Sequence, residues 1–430
     1  GEQTVDLLAR LVRLGCVNDL TADSGGEERA ADLLEEFFAG LPVSIERITP
    51  HPGRTSLVVT VEGSDPGSAG TPLTLLGHTD VVPVDEAKWT RDPFGAQIED
   101  DVMWGRGTVD MLHLTAVMAV VTREVARRAQ EGNPPARSLV FVAAADEEAR
   151  GGLGVPWIGE HRPDALPWDA ALSEMGGAHI RGHRGGDSVV VVVGEKGAAQ
   201  RRLHIRGDAG HGSVPLGRTS AVERLAQVSA ALSAARWLTA TDEVWASFVR
   251  AFEFDETTET SLINGTYEGD YSEFEDLAAF AHAISHVTVA QTVAHSGGPI
   301  NVMPSHATLE LDIRTLPGVD DDDVDAAIMA AEHVTIERLL CEAATASSID
   351  TDLYRAIEAA LTKRYPGARV VPVLFPGGSD LRVARRLGGI GYGFGAVDSG
   401  ASLGHVYSQL HAHDEHIALV DVRATAEVLH

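Results

Sequence analysis

Hydrophobic positions along the first 196 residues alternate between a helical and a strand-like pattern. Apolar residues with a period of three to four predict helices at residues 4–14, 27–38 and 114–128. Short apolar or β-branched runs predict strands at residues 43–48, 56–62, 73–76, 138–145, 170–172 and 188–193. The run at 138–145 is apolar after its first residue, which is typical of a buried strand in a parallel sheet. The alternation predicts an α/β sheet covered by helices on both faces.

The pattern changes between residues 197 and 346. Its order of elements predicts a smaller α+β domain, with strands at 201–206, 287–293, 308–314 and 334–340 and helices at 221–235 and 324–331. The segment 238–274, rich in Trp, Phe, Thr and Glu, is interpreted as an insertion. The α/β pattern then resumes, with helices at 353–365, at 380–387 and from 414 onward and a strand at 370–373. We therefore expect one discontinuous domain, residues 1–196 and 347–430, with residues 197–346 inserted in it.

Composition narrows the possible partners of this chain. Its 430 residues include 34 Lys or Arg and 63 Asp or Glu, a net charge of −29, which disfavours binding to nucleic acids and to anionic membranes. No apolar run reaches the roughly 18 residues that span a bilayer. The two cysteines, Cys16 and Cys341, exclude a disulfide framework and a CxxC zinc site. With no visible signal peptide at the N-terminus, we expect a cytoplasmic protein.

Two motifs place chemistry-bearing side chains near the ends of predicted elements. GHTDVVP at 77–83 follows a strand, so His78 points into the crevice where open α/β sheets bind ligands. Asp80 is placed to accept a hydrogen bond from that imidazole, as second-layer partners of metal-bound histidines do. WGRGTVDM at 104–111 places Asp110 before a helix, where a helix-capping carboxylate is the alternative interpretation.

Three further motifs add carboxylates and histidines. DEE at 146–148 ends the most apolar strand, where adjacent glutamates allow one to bind a metal while its neighbour moves a proton. SEMGG at 173–177 follows another strand, and HAHDEH at 411–416 contains three histidines. A solvated acidic loop and a His-rich surface loop are the simpler alternatives. A mixed histidine and carboxylate set suits zinc, manganese or cobalt better than calcium or magnesium.

In this order, the five motifs resemble those of the co-catalytic di-zinc amidohydrolases, which include aminoacylase, carboxypeptidase G, succinyl-diaminopimelate desuccinylase and bacterial dipeptidases. The resemblance implies a zinc-peptidase-like catalytic domain with a mostly parallel sheet and an inserted α+β lid or dimerisation domain. It implies two divalent metal ions, with zinc preferred over manganese and cobalt. It also implies cleavage of an amide or peptide bond in a small carboxylate-bearing substrate, a dipeptide or an N-acyl amino acid.

The resemblance assigns the metal ligands residue by residue. Asp110 would bridge the two metals, His78 and Glu174 would complete one ligand set, and Glu148 and His411 would complete the other.

The resemblance also assigns the residues that act on the ligands and on the water. Glu147 would be the general base and acid acting on a metal-bridging water, and Asp80 would orient the first histidine ligand. In the last motif His413 and His416 are rivals to His411, which is preferred because it has the family spacing of His, two residues, Asp or Asn, and Glu.

Substrate-binding residues follow from the same resemblance. In GHGSVP at 210–215, His211 would reach the partner subunit's site and stabilise an oxyanion, which implies a homodimer formed through the lid domain. Asn301 and Arg314 would bind the substrate carboxylate, although Arg314 also reads as a surface strand residue. Gly378 and Ser379 belong to a glycine-rich loop lining the substrate site, where Ser379 would donate a hydrogen bond.

The sequence departs from the family pattern in two places, and rival functions stay open. Leu112 stands where the family commonly has Lys or Arg, and the insertion at 238–274 is long. The resemblance therefore indicates the type of reaction better than it indicates the preferred substrate. GASLG at 400–404 satisfies the serine-hydrolase pattern GxSxG, but we expect neither a strand before it nor a helix after it. A non-catalytic metal protein would not need Glu147 beside Glu148. The remaining alternative is hydrolysis of a non-peptide C–N bond in an N-carbamoyl, amidine or aryl-amine substrate.

Overall fold

The computed structural model describes residues 1–65, 71–149, 152–328 and 333–430. Its first elements are α1 (Glu2–Leu14), α2 (Glu28–Phe37), β1 (Ser44–His51), β2 (Arg54–Val61), β3 (Leu73–His78), β4 (Gln97–Glu99), β5 (Val102–Trp104), α3 (Leu112–Gln130), β6 (Leu139–Ala144), α4 (Val155–His161), β7 (Ala170–Ser173), β8 (His179–Arg181) and β9 (Asp187–Glu195). The central elements are β10 (Gly197–Arg206), β11 (Gly210–His211), α5 (Ala221–Ala234), α6 (Glu243–Ala251), α7 (Glu256–Ile263), α8 (Ala278–Ser285), β12 (Thr288–Ser296), β13 (Val302–Met303), β14 (His306–Thr315), α9 (Asp321–Ile328), β15 (Val334–Glu342) and β16 (Thr345–Ala346). The last elements are α10 (Asp352–Arg364), β17 (Arg369–Phe375), α11 (Leu381–Arg386), β18 (Ile390–Gly393), α12 (Leu403–Gln409), β19 (His416–Ala418) and α13 (Leu419–Leu429).

A ten-stranded sheet forms the larger part of the structure, with the strand order β1-β2-β6-β3-β7-β18-β9-β16 and with β8 and β17 also paired to β9. Its central strands β6, β3, β7 and β18 run parallel, whereas pairs toward both edges, such as β1–β2 and β8–β9, are antiparallel. Helices α1 and α3 pack on one face and α4 and α11 on the other, which buries β6 over its whole length. The predicted α/β fold class is confirmed.

A separate four-stranded antiparallel sheet follows in the chain, in the order β12-β14-β10-β15. Strand β10 begins two residues after β9 ends, yet the two strands belong to different sheets. Helix α5 packs on this sheet through its buried face, of which Val228 and Leu232 are part. The end of the helix predicted at 324–331 lies outside the described residues, and α9 is described to Ile328.

The aromatic segment interpreted as an insertion forms α6, α7 and the turn leading to α8. Its Trp245, Phe248 and Phe274 belong to one buried cluster with Val371 and Val373 of β17. Because β17 is a strand of the large sheet, the segment packs against that sheet as well as beside the small one. It therefore ties the two sheets together through apolar contacts.

Two predictions near the C-terminus are wrong. Residues 416–418 are not the start of a helix but form β19, because they pair with Val102–Trp104 of β5, and the last helix begins at Leu419. A helix does follow the GxSxG sequence: α12, whose N-cap is Ser402. The short sequence of α12 contains Gly and Val, weak helix formers, so only the cap marks it.

The serine-hydrolase alternative is nevertheless not supported. Residues 394–401, all described by the structure, contain no strand, so the strand–turn–helix of a nucleophile elbow is not formed. Ser402 Oγ lies 3.2 Å from a carboxylate oxygen of Asp276. Elsewhere in the described ranges, none of the helices combines the length and the apolar character that a membrane crossing requires.

Candidate metal centre

The ends of three neighbouring parallel strands bring acidic and histidine side chains together. Strand β3 ends at His78, β6 is followed by the acidic residues 146–148, and Glu174 follows β7. These strands are adjacent in the order β6-β3-β7, so their carboxyl ends meet at one edge of the sheet. Asp110 and His411 reach the same place from the loops before α3 and after α12.

Asp110 lies between the two histidines and presents one oxygen to each. Its Oδ1 is 3.3 Å from His78 Nε2, and its Oδ2 is 3.4 Å from His411 Nε2. Glu174 Oε2 lies 3.7 Å from His78 Nε2, and Glu148 Oε2 lies 3.1 Å from His411 Nε2. Helix α3 is capped by Met111 without a side-chain bond, so capping does not account for Asp110. The arrangement has two halves that share one carboxylate.

Buried glutamates in this cluster lack the partners that carboxylates need. Burial, with Asp110 nearby, raises the pKa of Glu174 to about 8 and that of Glu148 to about 7. Within the described residues, Glu148 Oε1 and Glu174 Oε2 are buried without a hydrogen-bond donor. Unpaired buried acceptors are costly, and bound cations would satisfy them.

The two histidines respond to the same excess of carboxylates. Burial alone would lower the pKa of His78, but hydrogen bonds with Asp110 and other neighbouring carboxylates raise it well above its usual range. Hydrogen bonds with Asp110 and Glu148 raise the pKa of His411 to about 10. In metal proteins the cation takes the place of these protons. The donor set of imidazoles and carboxylates therefore fits divalent zinc, manganese or cobalt.

Asp80 contacts His78 differently from the sequence-based expectation. His78 Nδ1 lies 3.0 Å from the backbone carbonyl of Asp80 and 3.5 Å from its carboxylate. The carboxylate instead accepts hydrogen bonds from Asn18 Nδ2 (2.8 Å) and from the backbone N–H groups of Glu147 (3.2 Å) and Glu148 (3.1 Å). Asp80 thus orients the imidazole through its main chain and holds the two glutamates through its side chain.

Behind Asp110 lies Glu415, a residue to which the sequence reasoning gave no role. Its fully buried carboxylate accepts hydrogen bonds from the backbone N–H groups of Gly107, Val109 and Asp110 and from Arg106 Nη1 at 2.7 Å. Glu415 therefore fixes the loop that carries Asp110. The partners are separated by some 300 residues in the chain, so no local pattern could indicate the contact.

A second buried network lies behind Asp80. Arg54, with no exposed surface, donates to Glu27 Oε1 at 2.5 Å and to Asn18 Oδ1 at 3.1 Å. Asn18 in turn donates to both Asp80 and Asp146. This chain of contacts connects the acidic loop after β6 to the N-terminal part of the protein. No sequence pattern indicates it beyond the presence of charged residues among apolar ones.

The cluster opens into a cleft of about 430 Å³. Some of the predicted substrate-binding residues line this cleft, and the others do not. Arg314 and Gly378 line the cleft, and Arg314 also forms a two-point contact with Asp312 (2.9 and 3.1 Å). Ser379 Oγ donates to Glu195 at 2.8 Å, so its only proton is already engaged.

His211 and Asn301 are not brought into the cleft of their own chain. Both are exposed and lie at the antiparallel strand pair β11–β13, where the N–H of Gly212 donates to the Asn301 carbonyl at 2.7 Å. Of the rivals of His411, His413 is exposed, and the His416 ring stacks on Trp104 at 4.2 Å.

Glu147 borders the cleft beside the paired ligands. It is the first of the two glutamates held by Asp80, and burial together with the neighbouring Glu174 raises its pKa well above the usual range. Arg382 Nη1 lies 3.8 Å from Glu147 Oε1 and donates to the Ser379 carbonyl at 2.6 Å. Glu147 thus lies beside both a cation and the paired ligands, and its burial favours the protonated form of its carboxyl group.

Comparison with known proteins identifies the family of this chain. The model of peptidase family M20/M25/M40 matches residues 74–430, so the chain belongs to this family, and the resemblance in the motifs is confirmed. The chain is 28% identical over 349 residues to the probable carboxypeptidase S-like 2 of Dictyostelium discoideum, covering 76% of this chain and 64% of that protein. It is 28% identical over 307 residues to the acetylornithine deacetylase of Erwinia tasmaniensis, covering 71% and 65%. The chain thus spans less than two thirds of both relatives.

A solved structure supports the fold over the whole length. The M20 family metallo-carboxypeptidase Sso-CP2 from Sulfolobus solfataricus superposes with a TM-score of 0.71 at 20% identity, covering 99% of this chain and 97% of that chain. At this identity the similarity establishes the architecture, and the chemistry has to be argued from the site itself.

Replacing Glu415 by glutamine should weaken metal binding without removing a ligand. The amide of glutamine would place N–H groups against the backbone N–H donors that Glu415 accepts from, so the Asp110 loop would lose its anchor. We therefore expect about a 10- to 100-fold loss of zinc affinity. Competition with a chromogenic chelator measures this change. The control is Glu427→Gln, an exposed glutamate paired with Arg364 at 2.7 Å. Equal affinity in both variants would contradict the anchoring role.

Proposed function

We propose that this protein is a di-metal hydrolase that cleaves the amide or peptide bond of a small carboxylate-bearing substrate, a dipeptide or an N-acyl amino acid. The observation that carries the proposal is Asp110, whose two oxygens face two separate histidine–glutamate pairs in a cleft that Glu147 borders. Family membership and the relatives named carboxypeptidase and deacetylase support the same class of reaction.

The metals would be held by His78 and Glu174 on one side, by Glu148 and His411 on the other, and by Asp110 between them. Two bound divalent cations supply Lewis-acid charge that lowers the pKa of water and polarises the substrate carbonyl. Zinc is the preferred metal, with manganese and cobalt as the alternatives allowed by the donor set.

Glu147 is proposed as the residue that moves the proton. Its carboxylate takes a proton from the attacking water and delivers it to the leaving nitrogen, so that the amine departs neutral. Asp80 holds the backbone of Glu147, and Arg382 lies beside its carboxylate, so the group is kept at the edge of the cleft. This positioning allows one carboxylate to serve both proton transfers.

One basic side chain of the cleft is suited to a substrate carboxylate. Arg314 lines the cleft and has Nε and Nη2 engaged by Asp312, so we assign Nη1 to the substrate. The Lys196 ammonium also borders the cleft, but its donors are already engaged. Gly378 contributes backbone to the same wall. Ser379 is proposed to act through Glu195, which it anchors, rather than by donating to the substrate.

We propose a homodimer because His211 and Asn301, at the strand pair β11–β13, are exposed beside exposed apolar side chains. Leu216 is 95% exposed and Ile300 is fully exposed, and both lie close in sequence to that strand pair. Clustered exposed apolar side chains are typical of an interface. In a dimer the strand pair would enter the partner's cleft, where His211 would stabilise the oxyanion and Asn301 would contact the substrate carboxylate.

The domain boundaries belong to the same proposal. We propose residues 1–196 and 347–430 as the catalytic domain and 197–346 as the lid domain, supported by the change of sheet between β9 and β10. The segment 238–274 bridges both parts. A cytoplasmic location stays a prediction from the sequence, and the two cysteines are free thiols.

Chelation should abolish activity, and zinc, manganese or cobalt should restore it. The assay compares dipeptides, N-acyl amino acids and N-carbamoyl amino acids with each metal, and we expect turnover of one of the first two classes. Full activity after verified removal of metal would contradict the di-metal proposal. Exclusive turnover of N-carbamoyl compounds would instead identify the non-peptide C–N alternative.

Replacing Glu147 by glutamine should lower kcat by about 100- to 10,000-fold while the metal content stays unchanged. The amide keeps the shape of the side chain but cannot accept the proton. Steady-state kinetics and elemental analysis of the same samples separate the two effects, with Glu160→Gln on the exposed face of α4 as the matched control. Persistent turnover with both metals bound would remove Glu147 from the mechanism.

Mixing two inactive variants should restore activity if the site is completed by the partner subunit. In a heterodimer of His211→Ala and Glu147→Gln chains, one cleft has both an intact Glu147 and an intact His211. We expect the recovered activity to increase with the extent of subunit exchange, which native mass spectrometry measures. Exchange without recovery would argue that His211 acts within its own chain or not at all.

A further inference from the structure

A second cavity, of about 390 Å³, adjoins the metal cleft. The two share five lining residues, Glu174, Met175, Phe375, Tyr407 and Leu410. Protein interiors are close-packed and rarely leave voids much larger than a water molecule. A cavity of this size, opening beside the candidate reaction centre, has the dimensions of a ligand pocket.

The walls of this cavity are mainly apolar. Val190 and Val192 of β9 and Val373 of β17 form one side, and Phe280 of α8 and Phe394 contribute aromatic rings. Val190 and Val192 are two residues apart on a strand, so both project from the same face of the sheet. An apolar ligand placed here would gain from removal of its surface from water.

Apart from Glu174, which the cavity shares with the metal cleft, the polar groups in the wall are mainly engaged or uncharged. Asp421 accepts hydrogen bonds from Ser399, and Thr425 Oγ1 is bonded to the backbone of Ala396. Burial lowers the pKa of His113 to about 4, so this ring is neutral. No Lys or Arg lines the cavity in the part of the chain that the structure describes, so it offers no site for a substrate carboxylate.

The two spaces differ in character. Arg314 lines the cleft but not the cavity, whereas Phe375, Tyr407 and Leu410 line both. A substrate with its carboxylate at Arg314 and its scissile carbonyl at the metals would direct its acyl group into the apolar cavity. The cavity then lies on the acyl side of the bond that is cleaved.

We propose that this cavity binds the apolar acyl chain of an N-acyl amino acid and selects substrates with medium-length aliphatic acyl groups. This inference rests on the proposed amide hydrolysis and adds the identity of the acyl group. Helix α8, which follows the insertion, contributes Phe280, and the C-terminal part contributes α12, so the pocket is formed by segments distant in the chain.

The test compares N-acetyl, N-hexanoyl and N-decanoyl derivatives of one amino acid with the metal-loaded protein. Each methylene that becomes buried can raise kcat/KM by up to about fourfold, so we expect the hexanoyl and decanoyl substrates to exceed the acetyl substrate clearly. Equal or falling kcat/KM along the series would overturn the cavity assignment while leaving amide hydrolysis in place. Absence of turnover with all three substrates and with dipeptides would contradict the proposed function itself.

A variant that fills the cavity provides a second test of the proposal. Val192→Phe should lower kcat/KM for the decanoyl substrate by at least about tenfold and leave the acetyl substrate within about twofold, because only the long chain needs the space. The matched control, Val420→Phe, changes a position that is 39% exposed and does not line the cavity, and it should alter neither substrate. If Val192→Phe fails to fold by circular dichroism, Val406→Phe on α12 makes the same test from the opposite wall. A folded filling variant that slows both substrates equally would overturn the proposal.

Discussion

Asp110 is placed between His78 and His411 in an interior that also holds buried glutamates, and the excess of negative charge there constrains much of the surrounding structure. The carboxylates cannot remain charged and buried without compensating partners. Two histidines supply part of the compensation, and divalent metals would supply the rest. The carboxyl ends of the adjacent parallel strands β3, β6 and β7 meet at this place, and two loops bring Asp110 and His411 to it.

A layer of fully or nearly fully buried arginines surrounds the acidic cluster. Arg106 holds Glu415 behind Asp110, Arg54 joins Glu27 behind Asp80, and Arg382 lies beside Glu147. Each arginine has a fixed planar set of donors, so it fixes the orientation of a carboxylate as well as offsetting its charge. The net charge of −29 therefore does not describe the surroundings of the cluster, where Glu27, Glu415 and Glu147 each have an arginine beside them.

The aromatic segment between β10 and β12 links the small sheet to the large one. Trp245 and Phe248 pack against β17, and Phe280 of the following helix reaches the cavity next to the metal cleft. The same part of the chain therefore contributes both to the packing between the sheets and to the cavity beside the cleft. Lys196 adds a polar link at the junction of the two sheets, since its ammonium donates to the carbonyls of Ala283 and His286 at 2.6 Å.

The order of elements and the candidate ligands could be predicted from the sequence, because hydrophobic periodicity and strand-end motifs are local. Strand β6 and its acidic end are the clearest example. The helix expected from residue 414 was wrong, since pairing with β5 made residues 416–418 a strand. Only the tertiary structure decided that Glu415 anchors Asp110, that Ser379 bonds Glu195, and that an apolar cavity adjoins the cleft. These features depend on contacts between segments far apart in the chain, which a local pattern cannot encode.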